Sequence, residues 1–181
     1  GLGDVYKRQD YKDYPSVTGK KGMMLMNDDA EQAEPGADGL VFLPYMMGER
    51  SPVWDPYARG IFFGLSLKTT RREMNRAVLE GCAYGLRQLI EMVEEVTGEK
   101  LTHFSSIGGG AKSKVWAQIK ADITGRDITV LDMNDMAPVG AVLLAGVGAG
   151  IFKDVYEASA KVEKTVYMEI KPVSYTHLTL P

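Results

Sequence analysis

The sequence predicts an α/β fold, in which helices pack against a β-sheet. Short apolar runs, typical of buried strands, alternate with longer segments whose apolar residues recur at helical spacing. The segments follow the order strand, strand, long helix, strand, helix, strand, helix, helix. Strands that alternate with helices in this way indicate a sheet that carries helices.

The first third of the chain predicts a short helix and two strands. Met23–Gln32 is the helix, and a Glu-Pro-Gly turn at residues 34–36 ends it. Leu40–Tyr45 and Ile61–Leu67 are apolar runs, and we predict a strand for each. A loop with the sequence GERSPVWDPYARG, rich in proline, glycine and charge, separates them.

The clearest element is a long helix over Arg71–Thr97, where apolar residues follow a helical stripe. Thr70 and Glu73 stand three residues apart before this stripe, which predicts a capping box. Gly98 follows as a helix stop. At 1.5 Å per residue the helix is about 40 Å long.

Two glycines, Gly81 and Gly85, lie one turn apart within this helix. Each costs about 1 kcal/mol relative to alanine in a helix interior. We therefore predict that a neighbouring backbone approaches the helix closely on their shared face.

The second half predicts two strands and three helices. Leu101–Ile107 and Ile128–Leu131 are the strands, and Ser113–Thr124 is a helix between them. A proline in the first turn favours a helix over Pro138–Gly148, which we expect to be buried because it is almost wholly apolar. Asp154–Lys161 is predicted as the last short helix.

The composition excludes several classes of function. The chain has 181 residues, enough for one domain with a real core, and a net charge of −3, which disfavours nucleic acid or an anionic membrane as a partner. Cys82 is the single cysteine, so we expect no internal disulfide, no zinc site and a reducing, cytoplasmic setting. No apolar run reaches the length of a membrane span.

The two ends of the chain differ from the rest. Residues 1–9 (GLGDVYKRQ) and 173–181 (VSYTHLTLP) show no helical or clean strand period. Both resemble translated sequencing-adapter read-through, and we treat them as non-native. The native part is then residues 10–172, which we expect to be a domain truncated at both ends.

A run of three glycines, in the segment SIGGGAKSKVW, is the main candidate site. Gly108, Gly109 and Gly110 follow a predicted strand, and Ser113 begins a predicted helix. Backbone N–H groups in such a turn can approach an anion, and the helix N-terminus adds partial positive charge. The segment matches neither a Walker A loop nor the dinucleotide fingerprint GxGxxG. A tight turn followed by a capped helix explains the pattern equally well, so the residues alone leave both interpretations open.

The segment AGVGAGIF, Ala145 to Phe152, offers a competing interpretation. Were Ala141 to Ala145 a strand, the glycines would resemble a dinucleotide loop of a Rossmann oxidoreductase. The third glycine comes one residue early, and the expected acidic residue about 20 positions on is missing. The pattern therefore favours a helix that ends in glycines.

The loop GERSPVWDPYARG could form a ligand wall or a self-satisfied loop, and its composition favours the second. In that case we expect Glu49 to pair with Arg59, Asp55 to pair with Arg50, and Trp54 to enter the core.

Three further groups of polar residues are candidates for ligand binding: Arg71, Arg72 and Arg76; His103; and Asp132 with Asp135. The arginines could bind phosphate, but a solvated helix face with an Arg76–Glu80 pair is the preferred interpretation. The histidine stands alone and indicates an ordinary packed or surface residue. The aspartates could meet a Mg²⁺-bound phosphate, although loop carboxylates usually face solvent or cap helices.

Four segments together resemble one family: LVFLPYMMGERSPVWDPYARGIFFGLSL, RAVLEGCAYGLRQ, IGGGAKSKVWAQIKADITG and APVGAVLLAGVGAGIF. In this order and spacing they are similar to the C-terminal domain of the FGGY carbohydrate kinases. Within the family the resemblance is greatest to members that phosphorylate xylulose, with gluconate kinases and other sugar kinases as alternatives. It covers nearly all of Ala37 to Val162.

The resemblance implies a ribonuclease-H-like ATPase fold, shared with actin and the heat-shock 70 proteins. It implies that ATP, with Mg²⁺, lies along the glycine turn, and that the residues near the nucleotide are Gly108, Gly109, Gly110, Ala111 and Ser113. The catalytic aspartate and the sugar site belong to the family's N-terminal domain, so we expect no catalytic residue in this chain and no kinase activity from it alone. A homodimer is one option for its assembly. A non-catalytic, actin-like nucleotide-binding module is the alternative of a different class.

Overall fold

A long helix and a three-stranded sheet organise the part of the protein that the computed structural model describes, residues 22–133 and 136–173. The segment 1–9, predicted to be non-native, lies outside the described residues, as does the segment 173–181 apart from Val173. Within the described ranges the succession of helices and strands follows the predicted α/β order, with one additional strand at the end.

The first half builds a helical layer around a small hairpin. Helix α1 spans Gly22–Gln32, and the strands β1, Val41–Leu43, and β2, Ile61–Phe63, pair antiparallel. Helix α2 spans Arg71–Thr97. Its predicted capping box is confirmed, and so is its end at Gly98, which adopts φ 70°.

Gly81 confirms the predicted close approach of a backbone, whereas Gly85 does not. A Cβ placed on Gly81 would overlap the carbonyl oxygen of Phe42 in β1. A Cβ on Gly85 would meet nothing within 4 Å. The expectation for Gly85 is wrong because β1 meets the helix at residue 81, and α2 becomes progressively more exposed beyond it.

The second half builds the sheet. Strand β3, His103–Ser106, runs parallel to β4, Asp127–Leu131, and helix α3, Lys114–Thr124, connects them. Strand β5, Val166–Ile170, pairs antiparallel with β4 and completes the order β3-β4-β5. The sequence analysis missed β5, because polar and charged residues interrupt its apolar pattern.

Helix α4, Ala137–Gly148, has the predicted extent but not the predicted burial. Val142 is 69% exposed and Leu144 is 63% exposed. Gly146, against the ring of Phe152, is its one residue classed as buried. The helix packs mainly on α5, Val155–Ala160, which is too short to cover it, so the expectation of a buried helix is wrong for the described chain.

Two apolar clusters form the core, and α3 joins them. Ile119 and Ile123 of α3 face α1, α2 and β1. Ala117 and Ala121 on its other side face the sheet, against Ile128 and residues of β4 and β5. Because α3 is held between both clusters, the turn that leads into it has a rigid base.

No helix among the described residues is long and apolar enough to cross a bilayer.

Candidate functional site

The glycine run forms a tight turn at the end of β3, directly before α3. Gly108 adopts φ 92°, a left-handed conformation that side chains disfavour, and its N–H donates to the carbonyl of Met133 at 3.4 Å. The Ala111 N–H donates to the Gly108 carbonyl at 3.1 Å, which closes the turn. Ala111 is 3% exposed, so its methyl group packs into the sheet-side core.

Two backbone donors of the turn remain available. Within residues 22–133 and 136–173, the N–H groups of Gly109 and Gly110 have no hydrogen-bond acceptor. Gly109 is exposed, and a Cβ on it would meet nothing within 4 Å, so there is space beside it. Because the turn leads into the N-terminus of an 11-residue helix, it also lies in the positive part of the helix dipole.

Ser113 is the N-cap of α3, as predicted. Its Oγ accepts a hydrogen bond from the Trp116 N–H at 3.2 Å, and its carbonyl accepts from the Ala117 N–H at 2.9 Å. The cap satisfies a backbone donor that the helix itself leaves unpaired. The structure therefore gives Ser113 a structural role, and the question of ligand contact remains a prediction.

The two lysines beside the turn have different surroundings. The Lys112 ammonium pairs with the Asp132 carboxylate at 2.5 Å and lies 5.5 Å from the centroid of the Tyr167 ring. Lys114 is exposed and forms no ion pair with any other residue that the structure describes. Since Asp132 largely neutralises Lys112, Lys114 is the better source of positive charge for a ligand.

The indole of Trp116 lies behind the turn. Lys120 places its ammonium 4.0 Å from the centroid of this ring, a cation–π contact. Burial lowers the pKa of Lys120 and raises the pKa of the nearby Cys82 thiol. Trp116 is not among the predicted site residues, because an aromatic residue on the apolar side of a helix is typical of core packing.

The GERSPVWDPYARG loop bonds the side chains of Glu49, Asp55 and Arg59 to its own backbone, and not in the predicted pairs. Glu49 accepts from the N–H groups of Arg50 and Ser51, at 2.8 and 3.1 Å. Arg59 donates to backbone carbonyls instead of to Glu49, at 2.8 Å to Ala58. The expected ion pairs are wrong because the tight loop brings backbone groups closer to these side chains.

Trp54 was expected to enter the core, and this is also wrong. Trp54 is 80% exposed, and Tyr57 in the same loop is 83% exposed. The backbones of Glu49 and Asp55 pair with each other, at 2.8 and 3.0 Å, and this pairing holds the loop away from the core.

Two of the three arginines at the start of α2, Arg71 and Arg76, form structural ion pairs, whereas Arg72 is exposed. Arg76 pairs with Glu80 at 2.7 Å as predicted, but the pair is buried, not solvated, because α1 packs across this face. Glu80 also accepts from the Gly36 N–H at 3.0 Å. Arg71 pairs with Asp29 of α1 at 2.7 Å. These contacts make a phosphate role for Arg71 and Arg76 unnecessary.

The other polar candidates do not form a metal centre. Among the described residues, no group of three or more His, Cys, Asp or Glu side chains could hold a metal ion. His103 shares a hydrogen bond of 2.7 Å with Thr129 on the neighbouring strand. Asp132 pairs with Lys112, and Asp135 lies outside the described residues.

The Rossmann interpretation is wrong. Ala141 to Ala145 is the middle of helix α4 and not a strand, so its glycines do not follow a strand end.

Comparison with known proteins gives the family of the chain. The family model for the FGGY family of carbohydrate kinases, C-terminal domain, matches residues 7–149. A xylulose kinase of Staphylococcus epidermidis is 40% identical over 138 residues, which is 75% of this chain and 28% of that protein. A gluconokinase of Bacillus subtilis is 38% identical over 115 residues, which is 64% of this chain and 22% of that protein.

The structure agrees with the sequence comparison. The crystal structure of xylulose kinase from Rhodospirillum rubrum superposes with a TM-score of 0.70 at 30% identity, over 86% of this chain and 30% of that one. The fold is therefore the ATPase fold of the sugar kinases, related to actin and hexokinase. The chain belongs to the FGGY family of carbohydrate kinases and corresponds to the C-terminal domain. The chain spans about 28% of the length of the Staphylococcus epidermidis xylulose kinase.

Proposed function

We propose that this chain is the ATP-binding part of a sugar kinase, and that the turn from Gly108 to Ser113 receives the phosphates of the nucleotide. The observation that carries the proposal is the pair of N–H groups, on Gly109 and Gly110, that find no acceptor among the described residues and lie at a helix N-terminus in a chain of this family. Such donors favour an anionic ligand.

The residues present fit a phosphate-bearing ligand. Gly109 has open space beside it, so a bulky anion can approach the backbone. Lys114, exposed one residue after the N-cap, can add positive charge. The buried methyl group of Ala111 and the capped start of α3 keep the turn in place without occupying its outer side.

The reaction proposed for the whole enzyme transfers the γ-phosphoryl group of ATP to a sugar hydroxyl. The hydroxyl oxygen forms a bond to phosphorus, the bond from the γ-phosphorus to the bridging oxygen breaks, and ADP leaves. The family resemblance assigns the base that takes the hydroxyl proton to an aspartate of the N-terminal domain. Mg²⁺, where bound, neutralises charge on the phosphates. This chain contributes the nucleotide wall, and we expect it to have no kinase activity alone.

Xylulose is the proposed acceptor, with gluconate as the second candidate. The support is the sequence identity to the relatives, 40% for the xylulose kinase and 38% for the gluconokinase. These values are too close to choose a sugar by themselves. The single cysteine is consistent with a reducing, cytoplasmic setting for such an enzyme.

Titration calorimetry of the 181-residue chain with ATP tests the nucleotide site. We expect binding to the unaltered chain, and a loss of about tenfold or more in affinity for Gly109→Asp, since one unfavourable charge contact of about 1.4 kcal/mol corresponds to tenfold. Gly109→Asn is the matched control, because it has the same shape without the charge. No ATP binding by the folded chain, or equal losses for the two variants, would contradict the charge-based assignment.

A further inference from the structure

The indole ring of Trp116 lies directly beneath the glycine turn. A Cβ placed on Gly110 would come within 2.5 Å of the ring carbon Cζ3 and within 3.2 Å of Cε3. Neither Gly109 nor Gly108 has such a neighbour, because a Cβ on either one would meet nothing within 4 Å. The turn therefore rests on the ring at one residue, and that residue must be glycine for steric reasons.

The ring borders an apolar cavity of about 390 Å³, and two contacts limit its movement. Trp116 packs against the helical core cluster, which includes Ile119 and Ile123 of its own helix. The Lys120 ammonium lies 4.0 Å from the ring centroid. Tryptophan has only two side-chain torsions, so a ring held by packing and by a cation–π contact forms a rigid support.

The turn is also attached to the end of β4. There the Gly108 N–H bonds to the Met133 carbonyl, and Lys112 pairs with Asp132. The turn is thus held between a polar attachment to the sheet and an aromatic support on α3. Gly109, the residue between these two supports, carries one of the unbonded N–H groups.

We propose that Trp116 is a positioning residue for the nucleotide, whose ring sets the position of Gly110 and so directs the N–H groups of Gly109 and Gly110 toward the phosphates. This inference rests on the proposed function. The ring itself touches no ligand; it acts through the backbone of the turn.

A comparison of two glycine-to-alanine substitutions tests this coupling. Gly110→Ala forces the turn away from the ring, and we expect ATP affinity to fall about tenfold, because overpacking a well-packed site is costly. Gly85→Ala is the matched control, since its Cβ would meet nothing within 4 Å and it lies in α2, outside the turn, and we expect less than about a twofold change in ATP affinity.

The Gly110→Ala substitution is then repeated in a variant that lacks the Trp116 ring. In a Trp116→Leu background, Gly110→Ala should cause little further loss, because the atom with which it overlaps is gone. Trp116→Leu alone should weaken ATP binding, and Trp116→Phe should restore much of the affinity by keeping an aromatic ring. Leu40→Ala, which damages the same core cluster from outside helix α3, should leave ATP affinity nearly unchanged while lowering thermal stability.

A spectroscopic measurement gives an independent readout. The chain has two tryptophans, and Trp54 is 80% exposed in a separate loop. In Trp54→Phe, emission comes from Trp116 alone, and we expect ATP to change it with the same dissociation constant that calorimetry gives.

The outcomes separate the two proposals. If the unaltered chain binds no ATP, the proposed function fails and this inference fails with it. If ATP binds but Gly110→Ala behaves like Gly85→Ala, or loses as much affinity in the Trp116→Leu background as in the original, only the positioning role of Trp116 is overturned. An unchanged Trp116 emission on ATP binding would also contradict it.

Discussion

The carbonyl oxygen of Phe42 in β1 lies against Gly81 in the middle of α2, so closely that a Cβ at residue 81 would overlap it. Gly81→Ala should therefore lower the free energy of unfolding by about 1–3 kcal/mol, the usual range for overpacking. Gly85→Ala, one turn further along the helix with nothing within 4 Å, should raise it by up to about 1 kcal/mol. Urea unfolding monitored by circular dichroism measures both, and changes of the same sign would contradict the close contact.

The buried Arg76–Glu80 pair should be far more important for stability than the exposed Arg87–Glu91 pair on the same helix. Glu80→Gln leaves the Arg76 charge buried without its partner, and breaking a buried pair typically costs about 3–5 kcal/mol. Glu91→Gln removes an exposed i,i+4 pair at the same distance, 2.7 Å, and should cost about 0.5 kcal/mol or less. Urea midpoints check the difference, and similar losses would show that the first pair is solvated.

Ser113 has a structural role that can be separated from a ligand role. Ser113→Ala should lower stability by about 1 kcal/mol, because it removes the cap of α3. Ser113→Asp keeps an N-cap acceptor, so stability should be retained, while its negative charge should weaken ATP binding. Thermal unfolding combined with calorimetry measures the two effects, and unchanged ATP affinity in Ser113→Asp would place this residue away from the phosphates.

The contact between Glu94, near the end of α2, and Arg126, just after α3, should be sensitive to acid. A hydrogen bond from Arg126, at 2.8 Å, and another from the Leu101 N–H lower the pKa of this carboxyl from its ordinary value of 4.5. Since the pKa is lower in the folded state, the contact stabilises the fold above the unfolded pKa, and its contribution is lost as pH falls through the folded pKa.

Thermal unfolding between pH 6 and pH 3, in the native protein and in Glu94→Gln, tests this contact. We expect the native protein to lose more stability over that interval than the variant, which no longer titrates at this position. Glu95→Gln, at the exposed neighbouring residue, serves as the control and should follow the native profile. Parallel profiles for the native protein and Glu94→Gln would contradict the expectation.

Local patterns predicted local structure well. The capping box of Thr70 and Glu73, the stop at Gly98 and the N-cap at Ser113 are all confirmed. Each depends on hydrogen bonds between residues close in the chain, so residue type and spacing suffice to predict it. The family also followed from the order of four segments, which is a property of the sequence alone.

Errors arose where the outcome depends on what packs nearby. Trp54 and helix α4 are apolar, but they are exposed because the described chain places no core against them. Arg76 is charged, but it is buried because α1 covers it and supplies the carbonyls of Ala30 and Ala33 as acceptors. Hydrophobicity predicts burial only on average, and the neighbours decide each case.

The sequence by itself determined the α/β class, the extents of the principal helices, the family and the position of the glycine turn. Only the tertiary structure decided which glycines are sterically required, since Gly81 meets Phe42 and Gly110 meets Trp116, while Gly85 and Gly109 meet nothing. The physical reason is that a glycine's backbone freedom can be recognised from its place in a pattern, but the space beside its Cα is set by residues distant in the chain.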